Sequence, residues 1–192
     1  NALWGPQTQR AINNFPISGI TFTFPFGRTF IQALGVIKQA SAKANKTLNL
    51  IDTKRSNGIV KASKEVLSGK HDNQFPIDIF QTGSGTSTNM NANEVIARLA
   101  SKYSGVEVDP NNHVNLSQSS NDVIPTAINI SSHCGMTRQL LPALSGLIKT
   151  IDEKAKKLEG IIKTGRTHLM DAMPLDMSQE LLAWKSQLDS SY

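Results

Sequence analysis

Between Asp122 and Leu158 apolar residues recur at helical spacing, and Leu140, Leu144, Leu147, Ile148 and Ile151 form a wide stripe that Leu158 extends to Gly160. At 1.5 Å per residue the run predicts one helix of roughly 50 Å, kinked at Pro142. A second helix is predicted to begin near Ser178 and to present Leu181, Trp184 and Leu188. Two antiparallel helices cannot bury both of their apolar faces, so the pattern predicts part of a bundle completed elsewhere. The fold class expected is mainly α. A mostly helical N-terminal domain over 1–112 would be followed, over 113–192, by the first helices of a long central bundle. The boundary falls at the turn chemistry of Asp109-Pro110-Asn111-Asn112.

Upstream, Phe30, Ala33, Ile37, Ala40 and Ala44 fall on one face of a predicted helix that starts near Arg28 and runs out near Asn45-Lys46. Asp52 or Thr53 can cap the next helix, with Ile59, Ala62 and Val66 facing inward and Ser68-Gly69 ending it. Val95, Ile96, Leu99 and Tyr103 give helical spacing up to Ser104-Gly105. Ile20 to Phe26 alternates like a strand, but Pro25 restricts it to a sheet edge.

Composition removes several function classes. No apolar run approaches the roughly 20 residues of a membrane helix, and no basic-then-apolar leader opens the chain. It begins at Asn1-Ala2-Leu3-Trp4, so its N-terminus is expected to be trimmed. The single cysteine, Cys134, excludes an internal disulfide framework and favours a reducing compartment. The net charge of +5 comes from lysines scattered along helix faces, without the interleaved aromatic residues that bind nucleic acid. A mildly positive field can still collect a small dianion. No His/Cys/Asp/Glu grouping has metal-ligand spacing, so no metal is expected.

Three polar clusters carry the chemistry. Ser117-Gln118-Ser119-Ser120-Asn121-Asp122, closed by Pro125, joins helix-capping residues to a proline suited to a first helical turn. It reads as neutral donors at the positive end of a helix dipole, an anion site, or as an ordinary serine-rich cap. Gly83-Ser84-Gly85-Thr86 continues through Asn89, Asn91 and Asn93 and lacks the Gly-Lys-Ser/Thr ending of a phosphate loop. It is a backbone cradle for a ligand or a glycine turn capped by Thr88 or Asn89. Asn is a poor helix-interior residue, so three at alternate positions must be bonded to something. Gly165-Arg166-Thr167-His168 sets a histidine in a loop, next to a hydroxyl, with Asp171 near enough to orient it. His71, His113 and His133 have weaker settings and read as solvated or structural. The strand-turn-helix context of a serine hydrolase is missing.

In their order, Gly83 to Asn91, Ser117 to Asp122 and Gly165 to Leu169 resemble the motifs of class II fumarases, in the fumarase/aspartase superfamily. Trp4-Gly5-Pro6-Gln7-Thr8-Gln9-Arg10 resembles that family's N-terminal motif, and the resemblance covers essentially the whole chain. Aspartases typically carry Ser-Thr-Asn where Ser119-Ser120-Asn121 stand and Gln where His168 stands. The resemblance implies reversible hydration of fumarate to (S)-malate in the tricarboxylic acid cycle, with no cofactor and no metal. It implies a homotetramer in the cytoplasm, or in the mitochondrial matrix of a eukaryote, whose active site draws its motifs from different subunits. Ser84, Thr86, Ser119, Ser120, Asn121 and Thr167 would hold the substrate carboxylates, and His168 would act as the catalytic acid.

Two departures from the family are evident. The loop that supplies its catalytic base, with a Ser-Ser and a Met-Pro-x-Lys-x-Asn run, has no equivalent here, so the chain is expected to be an incomplete and inactive piece. The family's accessory dicarboxylate turn usually begins with His. Here Asp109, ahead of Asn111 and Asn112, would repel a second anion. Alternatives are an aspartate ammonia-lyase, or a helical assembly protein that kept the fold without the chemistry.

Overall fold

The computed structural model describes residues 2–22 and 27–192. Among them are seven α-helices and one β-hairpin, a mainly α architecture as the sequence predicts. They fall into two compact units, Asn1–His133 and Cys134–Tyr192.

The first unit is built on three helices, α2 (Gly27–Thr47), α3 (Thr53–Ser68) and α4 (Thr86–Ser104), with α1 (Pro6–Asn14) packed on α4. Asp52 caps α3 by accepting from the Arg55 N–H, and Gly69 ends it in the left-handed conformation at φ +86°. Ile59, Ala62 and Val66 face the core, with Val95, Ile96 and Leu99 of α4 opposite. Burial tends to raise the Tyr103 hydroxyl, and its bond to Glu65 adds to this, to about 12. Glu65, accepting from His71, Tyr103 and Lys70, is held at about 2 and ties α3 to α4.

The predicted face of α2 is buried in part: Ala33 lies in the core and Phe30 and Ile37 pack against it. Ala40 and Ala44 are exposed, whereas Ile31, Leu34, Lys38, Ala42 and Asn45 point inward. Two polar residues, Lys38 and Asn45, occupy core positions toward the C-terminal half, where the apolar period alone pointed to Ala40 and Ala44. The strand-like stretch from Ile20 is reduced, among the described residues, to one bridge between Thr21 and Asp78, and residues 23–26 lie outside the description.

α1 has no cap of its own. Glu94, nearly buried on α4, accepts from the N–H groups of Gly5 (2.9 Å), Gln7 (2.8 Å) and Thr8 (3.0 Å) and from the Thr8 hydroxyl (2.6 Å). One carboxylate thus serves the orphan donors of a helix whose sequence provides no acceptor.

The predicted long helix is present in segments: α5 (Ser120–Gly135), a π turn over Met136–Leu140, and α6 (Leu141–Leu158), with Pro142 in its first turn. Pro125 lies inside α5, beyond its first turn, and has no N–H with which to bond the Asn121 carbonyl. In the second unit, β1 (Ile162–Thr167) and β2 (Met170–Asp176) pair antiparallel, and α7 (Met177–Ser191) starts from a capping box on Asp176 and Gln179. Leu147, Ile151, Leu181, Trp184 and Leu188 line an open groove of about 500 Å³ on α6 and α7.

Glu94→Ala is expected to lower unfolding free energy by about 2–3 kcal/mol, because it strands four donors that shared one charged acceptor. Urea unfolding measures the loss, and faster amide exchange at Gly5, Gln7 and Thr8 locates it.

Candidate functional site

Two helix N-termini meet in the first unit. Gly85 precedes α4 at φ +69°, and a Cβ there would lie 3.0–3.1 Å from the Ile124 side chain, so both backbone and packing demand glycine. Gln81 braces the loop by accepting from the Thr88 N–H at 3.1 Å and bonding the Thr88 hydroxyl through its amide. Thr88 therefore does not cap the helix. The site opens instead on Ser84 and Thr86, whose hydroxyls are 3.0 Å apart.

Facing them, Ser119 caps α5. Its carbonyl accepts from the Val123 N–H (3.0 Å) and its hydroxyl from the Asn121 N–H (3.2 Å). Ser120, first residue of α5, lies with its hydroxyl 3.1 Å from that of Thr86, first residue of α4. Ser84, Thr86, Ser119, Ser120 and Asn121 are thus gathered at two positive helix ends. The fixed partial charges there favour an anion, and every side-chain donor is neutral. Asp122 in the first turn of α5 is exposed.

A polar interior holds this arrangement from behind. Lys38, fully buried, donates to Asn115 Oδ1 and Gln118 Oε1, both at 2.9 Å. Asn89 and Asn93 of α4 also donate to Asn115 Oδ1, each at 3.2 Å, and Asn45 of α2 donates to the Leu116 carbonyl at 2.9 Å. Gln118 closes the turn by donating to the carbonyls of Val114 and Leu116. Burial pushes the Lys38 ammonium down to about 7. The asparagines are bonded as expected, Asn91 through the Gln74 carbonyl. Lys38, Asn115 and Gln81 were missed as site residues, and the available signal was a lysine inside the apolar run Val36-Ile37-Lys38.

Asp109 turns its carboxylate on its own turn, accepting from the N–H groups of Asn111 (2.8 Å) and Asn112 (2.6 Å). Those donors already serve an acid of this chain. His113 accepts from the Asp109 N–H at 2.8 Å, and His71 bonds Glu65.

In the second unit, Thr167 pairs with Met170, so His168 and Leu169 form a two-residue hairpin turn rather than an open loop. Both have positive φ, 50° and 63°, and both are exposed. This is the conformation of a type I′ turn, uncommon for these side chains. Asp171, expected to orient His168, instead pairs across the hairpin with Arg166, Oδ1 to Nε 3.6 Å. Gly165 is required because a Cβ would lie 2.5 Å from the Met173 carbonyl. No group of three or more His, Cys, Asp or Glu able to hold a metal occurs among the described residues. Nor is any described helix long and apolar enough to cross a membrane.

A family model described as Lyase matches residues 1–192. A class II fumarate hydratase of Halobacterium salinarum is 53% identical over 98% of this chain and 40% of its own length. One from Xylella fastidiosa is 55% identical over 100% of the chain and 40% of its length. Among solved structures, a class II fumarase from Schistosoma mansoni gives a TM-score of 0.88 at 41% identity, over 99% of this chain and 40% of that one. A fumarate lyase:delta crystallin from Brucella melitensis gives 0.90 at 37%, over 98% and 45%. The chain therefore spans about 40% of the length of the curated relatives it matches.

Lys38 makes stability depend on pH with a fixed sign. Its folded value is about 7 and its ordinary value 10.5, so between them the unfolded chain binds more protons. Stability from this group is absent below pH 7 and grows as pH rises toward 10.5, by at most about 1.4 kcal/mol per unit. Denaturant midpoints at pH 7 and 9 should show that rise, and Lys38→Met should flatten it.

Proposed function

Since the chain belongs to the Lyase family, we propose that it carries substrate-binding loops of a class II fumarate hydratase, which interconverts fumarate and (S)-malate. The observation that carries the reading is the 3.1 Å meeting of the Thr86 and Ser120 hydroxyls at two helix N-termini. Fumarate and malate are dianions. Removing the C3 proton of malate pushes charge onto the adjacent carboxylate, so fixed neutral donors around it bind the transition state better than the ground state.

Ser84, Thr86, Ser119, Ser120 and Asn121 act as those donors. Thr167 and His168, supplied by a neighbouring copy, complete the set, with Thr167 on a carboxylate and His168 as the acid that assists gain or loss of the hydroxyl through water. The reaction uses no metal and no cofactor. The working assembly is a homotetramer, and the exposed Leu147 and Trp184 beside the groove of α6 and α7 support further helix packing there. Its place is the tricarboxylic acid cycle of the cytoplasm, or of a mitochondrial matrix. The single Cys134 suits either compartment. The turn at Asp109, Asn111 and Asn112 binds no second dicarboxylate, because the Asp109 carboxylate serves its donors.

The test uses the full-length gene product, assayed with fumarate and, separately, with aspartate. Fumarate hydration is expected, and ammonia release from aspartate would overturn the reading. Asn121→Ala and His168→Asn should each lower kcat on the order of a hundredfold to a thousandfold with circular dichroism unchanged, as for loss of one transition-state donor. Equal mixtures of the two variants, refolded together, should regain part of the activity if the residues act from different copies.

A further inference from the structure

We propose that Lys38 is a positioning residue for this reaction, fixing the turn Asn115–Gln118 and, through it, the donors Ser119, Ser120 and Asn121. The inference rests on the fumarate hydratase reading for its substrate and on the geometry for its mechanism.

Lys38 has no exposed surface, and none of the described ion pairs includes it. A lysine buried without a counter-charge opposes folding, and an aliphatic side chain would fill the same space at lower cost. Its contacts show what the nitrogen adds. A neutral lysine amine has two N–H donors, and two amide oxygens, of Asn115 and Gln118, lie 2.9 Å away. Burial holds the group down to about 7, so an amine and an ammonium are both accessible near neutrality and either can donate to the pair.

These bonds lead directly to the site. Gln118 is bonded to Ser119, whose hydroxyl orders the Asn121 N–H and whose carbonyl starts α5. Ser117, between the two anchored amides, is held at φ +60°, a conformation costly for a residue with a Cβ. Asn115 also receives Asn89 and Asn93 from α4, the helix that begins at Thr86. The amine therefore registers the α5 donors against the α4 donors. Catalysis by fixed donors is sensitive to that register, since a displacement of about 1 Å can cost about a hundredfold in rate.

The experiment compares the full-length parent with Lys38→Met, Gln118→Met and the double variant. Each single change should lower kcat/KM for fumarate by about a hundredfold. The double should fall no further than the worse single, because both break one link. Amide exchange should quicken over 115–122 in Lys38→Met while α3 stays protected. A folded Lys38→Met within twofold of the parent, additive single losses, or exchange that quickens equally across α2, α3 and α4 would each overturn the proposal. If Lys38→Met does not fold, Gln118→Met, which removes one acceptor of the same link, decides alone: a folded variant within twofold of the parent overturns the proposal, and a loss of about a hundredfold with exchange quickened only over 115–122 upholds it. A parent inactive on fumarate would defeat the hydratase reading alone, and the exchange pattern would still decide the positioning role.

Discussion

The first unit depends on a hydrogen-bonded interior where a small helical domain would ordinarily place hydrocarbon. Lys38 and Asn45 of α2 and Asn89 and Asn93 of α4 converge on the turn from Asn115 to Gln118. A buried amide or amine stabilises nothing unless it is bonded, and a half-satisfied network is worse than an apolar one. Here the oxygens of Asn89, Asn91 and Asn93 have no hydrogen-bond partner among the described residues. The interior thus accepts a cost in stability while gaining a single permitted geometry for the turn. Leucine at these positions would pack as well but would leave the turn free to choose among conformers.

That interior also marks where sequence reasoning succeeds and where it fails. Helices whose burial and period agree were legible down to their caps. Asp52 and Gly69 bound α3 as predicted, and Gly105 ends α4. The inward face of α2 was legible only toward its start, at Phe30, Ala33 and Ile37, because further along Lys38 and Asn45 are buried while Ala40 and Ala44 are exposed. Their partners are some 70–80 positions away in the chain, and no local pattern announces them. The hairpin was illegible for a different reason. Both its strands are largely exposed, so no alternation is imposed on them, and Gly165 and Pro174 read as breakers. Of the candidate site, the hydroxyls of Ser84, Thr86 and Ser120 that meet could be named from their clusters. The side chains that hold them could not.

At the starts of α1, α3 and α7 and at two turns, the free backbone N–H groups are served differently from those at the candidate site. The start of α1 is served by Glu94, that of α3 by Asp52 and that of α7 by Asp176. The turn after Asp109 is served by Asp109 itself, and the N–H groups of Ser18 and Gly19 by Asp78. In each case a carboxylate of the chain occupies the position an external anion would take. The start of α4 breaks the pattern, with no acid in its first turn and no side-chain cap. At the start of α5 the cap is a serine hydroxyl, and no described hydrogen bond reaches the Asp122 carboxylate. These two ends are the ones brought within 3.1 Å of each other through Thr86 and Ser120. The hydroxyls at these two ends thus stand where α1, α3 and α7 receive a carboxylate of the chain. Lys38, the nearest basic group in this network, reaches the site only through amides.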